Sequence, residues 1–150
     1  MPDVTVHATA VSIFGEAILI RGEPGAGKST LALELIEMPG SGLGDGMLKA
    51  ILISDDQTLL TAVGGRIWCS APPALAGLLE VRGLGVVKVP AVGPSALKLI
   101  VDLVPTHEAL RLPEPNDQTT ALLGMAIPLI RLNKDGKALA SRVRAAFQRL

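Results

Sequence analysis

The chain has 150 residues, 49% of them hydrophobic, which is enough to bury one core and too few for two independent domains. Lys and Arg balance Asp and Glu at 14 each, and no basic run is present to form a footprint for a polyanion, so nucleic acid is not an expected partner. Cys69 stands alone, which excludes an intramolecular disulfide or a cysteine metal cluster. The opening Met1-Pro2-Asp3-Val4 lacks the basic start and apolar core of a signal peptide, and no apolar stretch reaches bilayer length; a soluble, cytoplasmic protein without membrane association is expected.

Two strands are predicted first, over 4–14 and 17–20, hinged at Gly15-Glu16. The second runs straight into Gly22-Glu23-Pro24-Gly25-Ala26-Gly27-Lys28-Ser29. From Lys28 helical spacing sets in, with Leu31, Leu33, Leu35 and Ile36 among good helix formers, and it stops near Pro39-Gly40. Residues 39–46 are too rich in glycine for regular structure and are expected to form a flexible surface loop. Residues 50–53 read as a buried strand delivering Ser54-Asp55-Asp56 at its end.

Residues 57–63 and 66–69 form a predicted hairpin about Gly64-Gly65, and Pro72-Pro73-Ala74-Leu75 opens a short helix. Strands are expected over 86–89, 97–104 and 127–132, while 105–124 carries no clear period. From Lys134 onward, Leu139, Val143, Ala146, Phe147 and Leu150 share one helical face, with Arg142, Arg144, Gln148 and Arg149 largely elsewhere. That pattern predicts a C-terminal helix that docks its apolar face. There is no internal repeat.

Each fixed position of Gly-x4-Gly-Lys-Ser has a mechanical duty. Gly22, Gly25 and Gly27 let the backbone turn its N–H groups around a phosphate, with Glu23, Pro24, Ala26 and Thr30 completing the loop and the first helical turn. Lys28 reaches the β- and γ-oxygens of ATP, Ser29 offers its hydroxyl to Mg²⁺, and the helix beginning there aims its positive end at the anion. An ordinary glycine turn would not need strand, loop and helix in this order.

Nucleotide binding alone does not name the acceptor of the γ-phosphate. Asp55-Asp56 at a strand end is placed for a nucleotide's metal or an attacking group, although a turn-capping acidic pair explains the same letters. Glu80 and Arg82 flank Val81 and would share a face of an extended segment, as would a simple surface ion pair. His7 and Arg111, each taken alone, carry no functional signal.

Together these residues resemble the catalytic domain of HPr kinase/phosphorylase, in its short form without the N-terminal domain. The most specific element is Leu79-Glu80-Val81-Arg82-Gly83-Leu84-Gly85-Val86-Val87, which is similar to the family's Glu-Ile-Arg-Gly-Leu-Gly-Ile-Ile signature. The resemblance implies one P-loop kinase catalytic domain over 1–150, an α/β fold of the phosphoenolpyruvate carboxykinase-like type with a mixed β-sheet and flanking helices. It further implies ATP and Mg²⁺, with Ser29 and Glu80 as metal ligands.

In this scheme Lys28 is catalytic and Asp56 is the proton acceptor for a serine of HPr or an HPr-like phosphocarrier, and the donor in reverse. His7 takes the place of the family's catalytic histidine, and Arg111 that of its catalytic arginine. A hexamer, in which a C-terminal helix helps dock the carrier, is implied as well.

The sequence departs from the family at three places. Pro24 replaces a usual Ser, removing a hydroxyl near the phosphates; residues 39–48 lengthen the link between Lys28 and Asp56; and the Pro-Val-Arg-Pro-Gly-Arg stretch tied to dephosphorylation is replaced near Ile127-Pro128-Leu129-Ile130-Arg131. Two other readings compete. A small-molecule P-loop kinase needs arginines in a lid, and residues 83–103 contain none. A nucleotide-binding regulator would keep the loop and transfer nothing.

Overall fold

The computed structural model describes residues 3–109 and 112–150. β1 (Val4–Val6) and β2 (Ala8–Ile13) replace the single strand expected over 4–14, with the break at His7. The cause is a change of partner: β1 pairs antiparallel with β5 (Thr58–Val63), whereas β2 is sandwiched between β3 (Glu16–Arg21) and β4 (Ala50–Ser54). The β2–β3 turn lies one residue earlier than expected, because Ile13 pairs with Glu16 and the two positive φ angles, 52° and 77°, fall on Phe14 and Gly15. Two successive left-handed residues match the twist of a tight hairpin.

β3 leads into α1 (Lys28–Glu37), and β5 returns through Gly64-Gly65 to β6 (Arg66–Ser70) as predicted. A single 3₁₀ turn at Pro73–Leu75 precedes β7 (Leu78–Val81) and β8 (Gly85–Lys88), which form their own two-stranded hairpin. β9 (Ser95–Val104), β10 (Thr119–Leu122), β11 (Met125–Asn133) and α2 (Leu139–Gln148) complete the chain. Among the described residues nine strands join one mixed sheet, with β9 parallel to β3 and β11 and antiparallel to β6.

β2 is buried along its whole length and β3 everywhere except its two ends, which is why both read as near-continuous apolar runs. Val11, Ile13, Ile18 and Ile20 face α1 and α2, meeting Leu31, Leu35, Val143 and Phe147; Ala8, Ala10, Ala17 and Leu19 face the opposite side, against Leu60, Ile67 and Cys69.

The glycine-rich segment expected to be a flexible loop is instead folded around Arg144. That side chain, placed on the polar face by helical spacing, is only 2% exposed. Its Nη2 donates to Glu34 O, Leu35 O (3.1 Å) and Met38 O, and its Nε to Leu48 O. Leu35 O and Met38 O lie at the C-terminal end of α1 and Glu34 O is shared with Met38 N–H, in a helix that has no basic residue of its own in its last turn. The loop closes with Leu48 N–H donating to Gly40 O at 2.8 Å. Two of its glycines are needed, because a Cβ at Gly40 would lie 2.5 Å from Arg144 Nη1 and one at Gly42 2.5 Å from Arg144 O. Leu150, counted on the apolar face, is 52% exposed beyond the end of α2.

Candidate active site

The site is built outward from the end of β3. Arg21 is held there by a two-pronged pair with Asp102 of β9, Nε to Oδ1 at 2.7 Å and Nη2 to Oδ2 at 2.8 Å. The Asp102 hydrogen bond holds Arg21 above the ordinary arginine pKa range. The neighbouring Gly22 has no room for a side chain, since a Cβ would come within 2.9 Å of Ala26 Cβ and 3.2 Å of Leu103 O.

Gly27, at φ 100°, is the N-cap of α1 and offers no capping side chain, so the first-turn amides stay open to an anion. Lys28 is 6% exposed and curls into the loop, its Nζ donating to Gly22 O at 2.9 Å and Glu23 O at 3.2 Å.

Asp55 is the hub. It is buried, and its Oδ1 accepts from Ser29 Oγ at 2.6 Å and from Thr9 Oγ1 at 2.9 Å, while Oδ2 accepts from the Glu80 backbone N–H at 2.9 Å. One carboxylate thus ties together the phosphate loop, β2 and β7. Thr9 also accepts from Asp56 N–H at 3.1 Å, so the same hydroxyl orients both acidic residues. The β2–β4 register shifts between Ala10 and Val11, opposite the residues just before Asp55. Irregularities of this kind re-aim side chains beside functional sites.

Asp56 sits at the centre of a γ-turn, with φ 68° and Gln57 N–H donating to Asp55 O at 2.8 Å. This positive-φ form is the rarer and more strained of the two γ-turns. It turns the Asp56 carboxylate outward, where Oδ1 meets His7 Nε2 at 2.9 Å, both side chains 59% exposed. The break between β1 and β2 is what brings His7 to this point.

Pro24, Gly25, Gly27, Lys28, Ser29, Thr30, Asp56, Glu80 and Arg82 line one cleft of about 250 Å³. The structure therefore gathers residues 75 positions apart at the extremes, from His7, touching Asp56, to Arg82. Gly22, Glu23 and Ala26 shape the loop without lining the cleft. Arg111 lies outside the described residues. The sequence marks Asp55 only as one of a pair at the end of an apolar strand, the family resemblance gives it no role of its own, and Thr9 carries no signal, because its part depends on strand pairing.

The donor set fits Mg²⁺ of the kind shared with a nucleotide. Ser29 and Asp55 place a hydroxyl and a carboxylate oxygen 2.6 Å apart at the mouth of the phosphate loop. Among the described residues no group of three or more His, Cys, Asp or Glu could hold a metal by itself.

A family model described as the HPr Serine kinase C-terminal domain matches residues 1–150. The chain belongs to that family. Curated relatives include HPr kinase/phosphorylase from Burkholderia lata and from Burkholderia cenocepacia, each 37% identical over 157 residues that cover 98% of this chain and 46% of the relative. The chain thus spans about half the length of these family members. Among solved structures, the HPr(Ser) kinase/phosphatase of Coxiella burnetii superposes with a TM-score of 0.78 at 25% identity, covering 97% of this chain and 89% of that one. The mixed sheet with α1 behind the phosphate loop is therefore the family's P-loop kinase-like architecture.

Proposed function

We propose that this chain is an ATP- and Mg²⁺-dependent protein serine kinase acting on HPr or an HPr-like phosphocarrier of the phosphotransferase system. The observation that carries the reading is the placement of the strained, outward-turned Asp56, held by His7, on the same cleft as Lys28, Ser29 and Glu80. A base at an open mouth suits an acceptor hydroxyl on a protein surface.

In this reading Lys28 and the loop amides hold the β- and γ-phosphates. The acceptor serine Oγ forms a bond to the γ-phosphorus as the bridging P–O bond to the β-phosphate breaks, and ADP leaves. Asp56 takes the serine proton, and His7 fixes the carboxylate for that transfer. Mg²⁺, when bound, would neutralise charge on the phosphate oxygens, and Ser29, Asp55 and Glu80 would hold it.

In the dephosphorylating direction an oxygen of inorganic phosphate forms a bond to the phosphoserine phosphorus as the serine Oγ–P bond breaks, Asp56 gives its proton to the departing Oγ, and pyrophosphate leaves; the relatives' printed names include a phosphorylase. Arg111 is assigned as a second catalytic cation from the family resemblance. The same resemblance supports a phosphoenolpyruvate carboxykinase-like type of fold, one P-loop domain over 1–150, a hexameric assembly and a cytoplasmic setting; among the described residues no helix is long and apolar enough to cross a membrane.

The test is to incubate the chain with γ-³²P-labelled ATP, Mg²⁺ and a panel of purified phosphocarriers. Acid-stable label on a carrier serine, absent with Lys28→Ala, is expected. ATP binding with no label on any carrier would overturn the kinase assignment.

A further inference from the structure

Between β11 and α2 lies a second cleft, of about 280 Å³, which shares no lining residue with the phosphate-loop cleft. Its floor is apolar, with Ile130 and Leu132 on the strand side and Ala145 and Ala146 on the helix side. Arg142 and Arg149 bracket the two alanines. Seven residues apart, they project from one stripe of the helix about 10 Å from each other. Arg131 of β11 is a third guanidinium on the same cleft.

The charges do not cancel. The cleft's one lining carboxylate among the described residues is Asp117, 3.4 Å from Arg131 Nη1. Arg142 uses Nε on Lys137 O at 3.1 Å, which engages one of its five donors, and Arg149 has no ion pair among the described residues. Three cations against one anion stand out in a chain whose formal net charge is zero.

The alanines matter as much as the arginines, because a larger residue at either position would fill the space between the two forks. An apolar floor framed by guanidinium forks is complementary to an apolar body carrying an acidic head, since the fork matches the paired oxygens of phosphate and carboxylate. The phosphate loop, by contrast, binds through backbone amides and one lysine and provides no apolar seat.

We infer that the β11–α2 cleft binds a small organic anion, its apolar body on Leu132 and Ala146 and its phosphate or carboxylate head held by Arg142 and Arg149. The test uses phenyl phosphate, benzoate and inorganic phosphate, titrated calorimetrically into the chain carrying Lys28→Ala to silence the phosphate loop, and into the same chain with Arg142→Gln and Arg149→Gln added. Phenyl phosphate or benzoate should bind more tightly than inorganic phosphate, and the added substitutions should weaken binding about tenfold or more. The stronger of the two aromatic anions identifies the head group, and either order supports the site.

Amide resonances of Ala145 and Ala146 in the otherwise unmodified chain should move with the aromatic anions, a reading that depends on no arginine variant. Affinity unchanged by the two glutamines, unmoved alanine amides, or loss of all binding with Lys28→Ala would each overturn the assignment.

Discussion

Asp55→Asn removes a charge and an acceptor while keeping volume, so its effect can be worked from the hydrogen bonds alone. The native carboxylate accepts from Ser29 and Thr9 on one oxygen and from the Glu80 amide on the other. An asparagine NH₂ must face one side. Toward Glu80 it meets a backbone N–H that cannot turn away, donor against donor. Toward Thr9 and Ser29 it meets two hydroxyls that must reverse direction, one of which already accepts from Asp56 N–H.

Bonds to an ionised acceptor are worth about 1.5–3 kcal/mol and neutral ones about 0.5–1.5 kcal/mol, so weakening two or three of them should lower stability by about 2–4 kcal/mol. Urea unfolding with an unchanged m-value measures this directly. Thr9→Val should lose about 1–2 kcal/mol, and its effect should shrink in the Asp55→Asn background because the two share a bond. A loss under about 0.5 kcal/mol for Asp55→Asn would refute the claim that this carboxylate organises the site.

Asp56→Gly should leave the urea midpoint unchanged or raise stability by up to about 1 kcal/mol, since glycine relieves the positive φ, while it abolishes transfer; marked destabilisation would contradict the strain reading. Gly40→Ala should cost about 1–3 kcal/mol through its clash with the buried Arg144, and under about 0.5 kcal/mol once Arg144→Ala removes the obstacle. Equal effects in both backgrounds would show that the loop does not close on Arg144. Burial pushes the Cys69 thiol from 9.0 up to about 12. Ellman's reagent should therefore label it at pH 8 only after unfolding. The folded state also holds this proton when the unfolded state releases it, so the contribution is fully present below pH 9 and is lost as pH rises toward 12. Rapid labelling of the folded chain would contradict the burial.

The phosphate loop was legible because its demands are local: glycine dihedrals, a lysine and a serine at the start of a helix act within eight residues. The hairpin at Gly64-Gly65 and the strands through Ser54 and Val104 were legible for the same reason. Thr9 and Arg144 were not, and His7 was named only through the family resemblance. His7 reaches Asp56 only because β1 and β2 part company, and Thr9 is opposed to Asp56 only through the β2–β4 register.

Arg144 defeats helical periodicity outright, since its charge is buried by carbonyls of another helix and by a loop about 100 residues away in sequence. The glycines of residues 39–46 read as freedom to move, yet Gly40 and Gly42 are there to let that side chain and its backbone pass. The strand end marks the Asp55-Asp56 pair together, and the family resemblance gives a separate role to the exposed member alone, because burial of a carboxylate is a property of the fold.

Single-turnover transfer by Asp56→Asn, with ATP affinity measured on the same preparation, tests the central claim most directly. The expected result is an ATP dissociation constant within about threefold of the parent and a transfer rate to the carrier serine lower by about 10²–10⁴ fold, the usual worth of a positioned general base. Parent-level transfer by that variant would remove Asp56 from the chemistry, and with it the reason for placing the acceptor serine at this cleft.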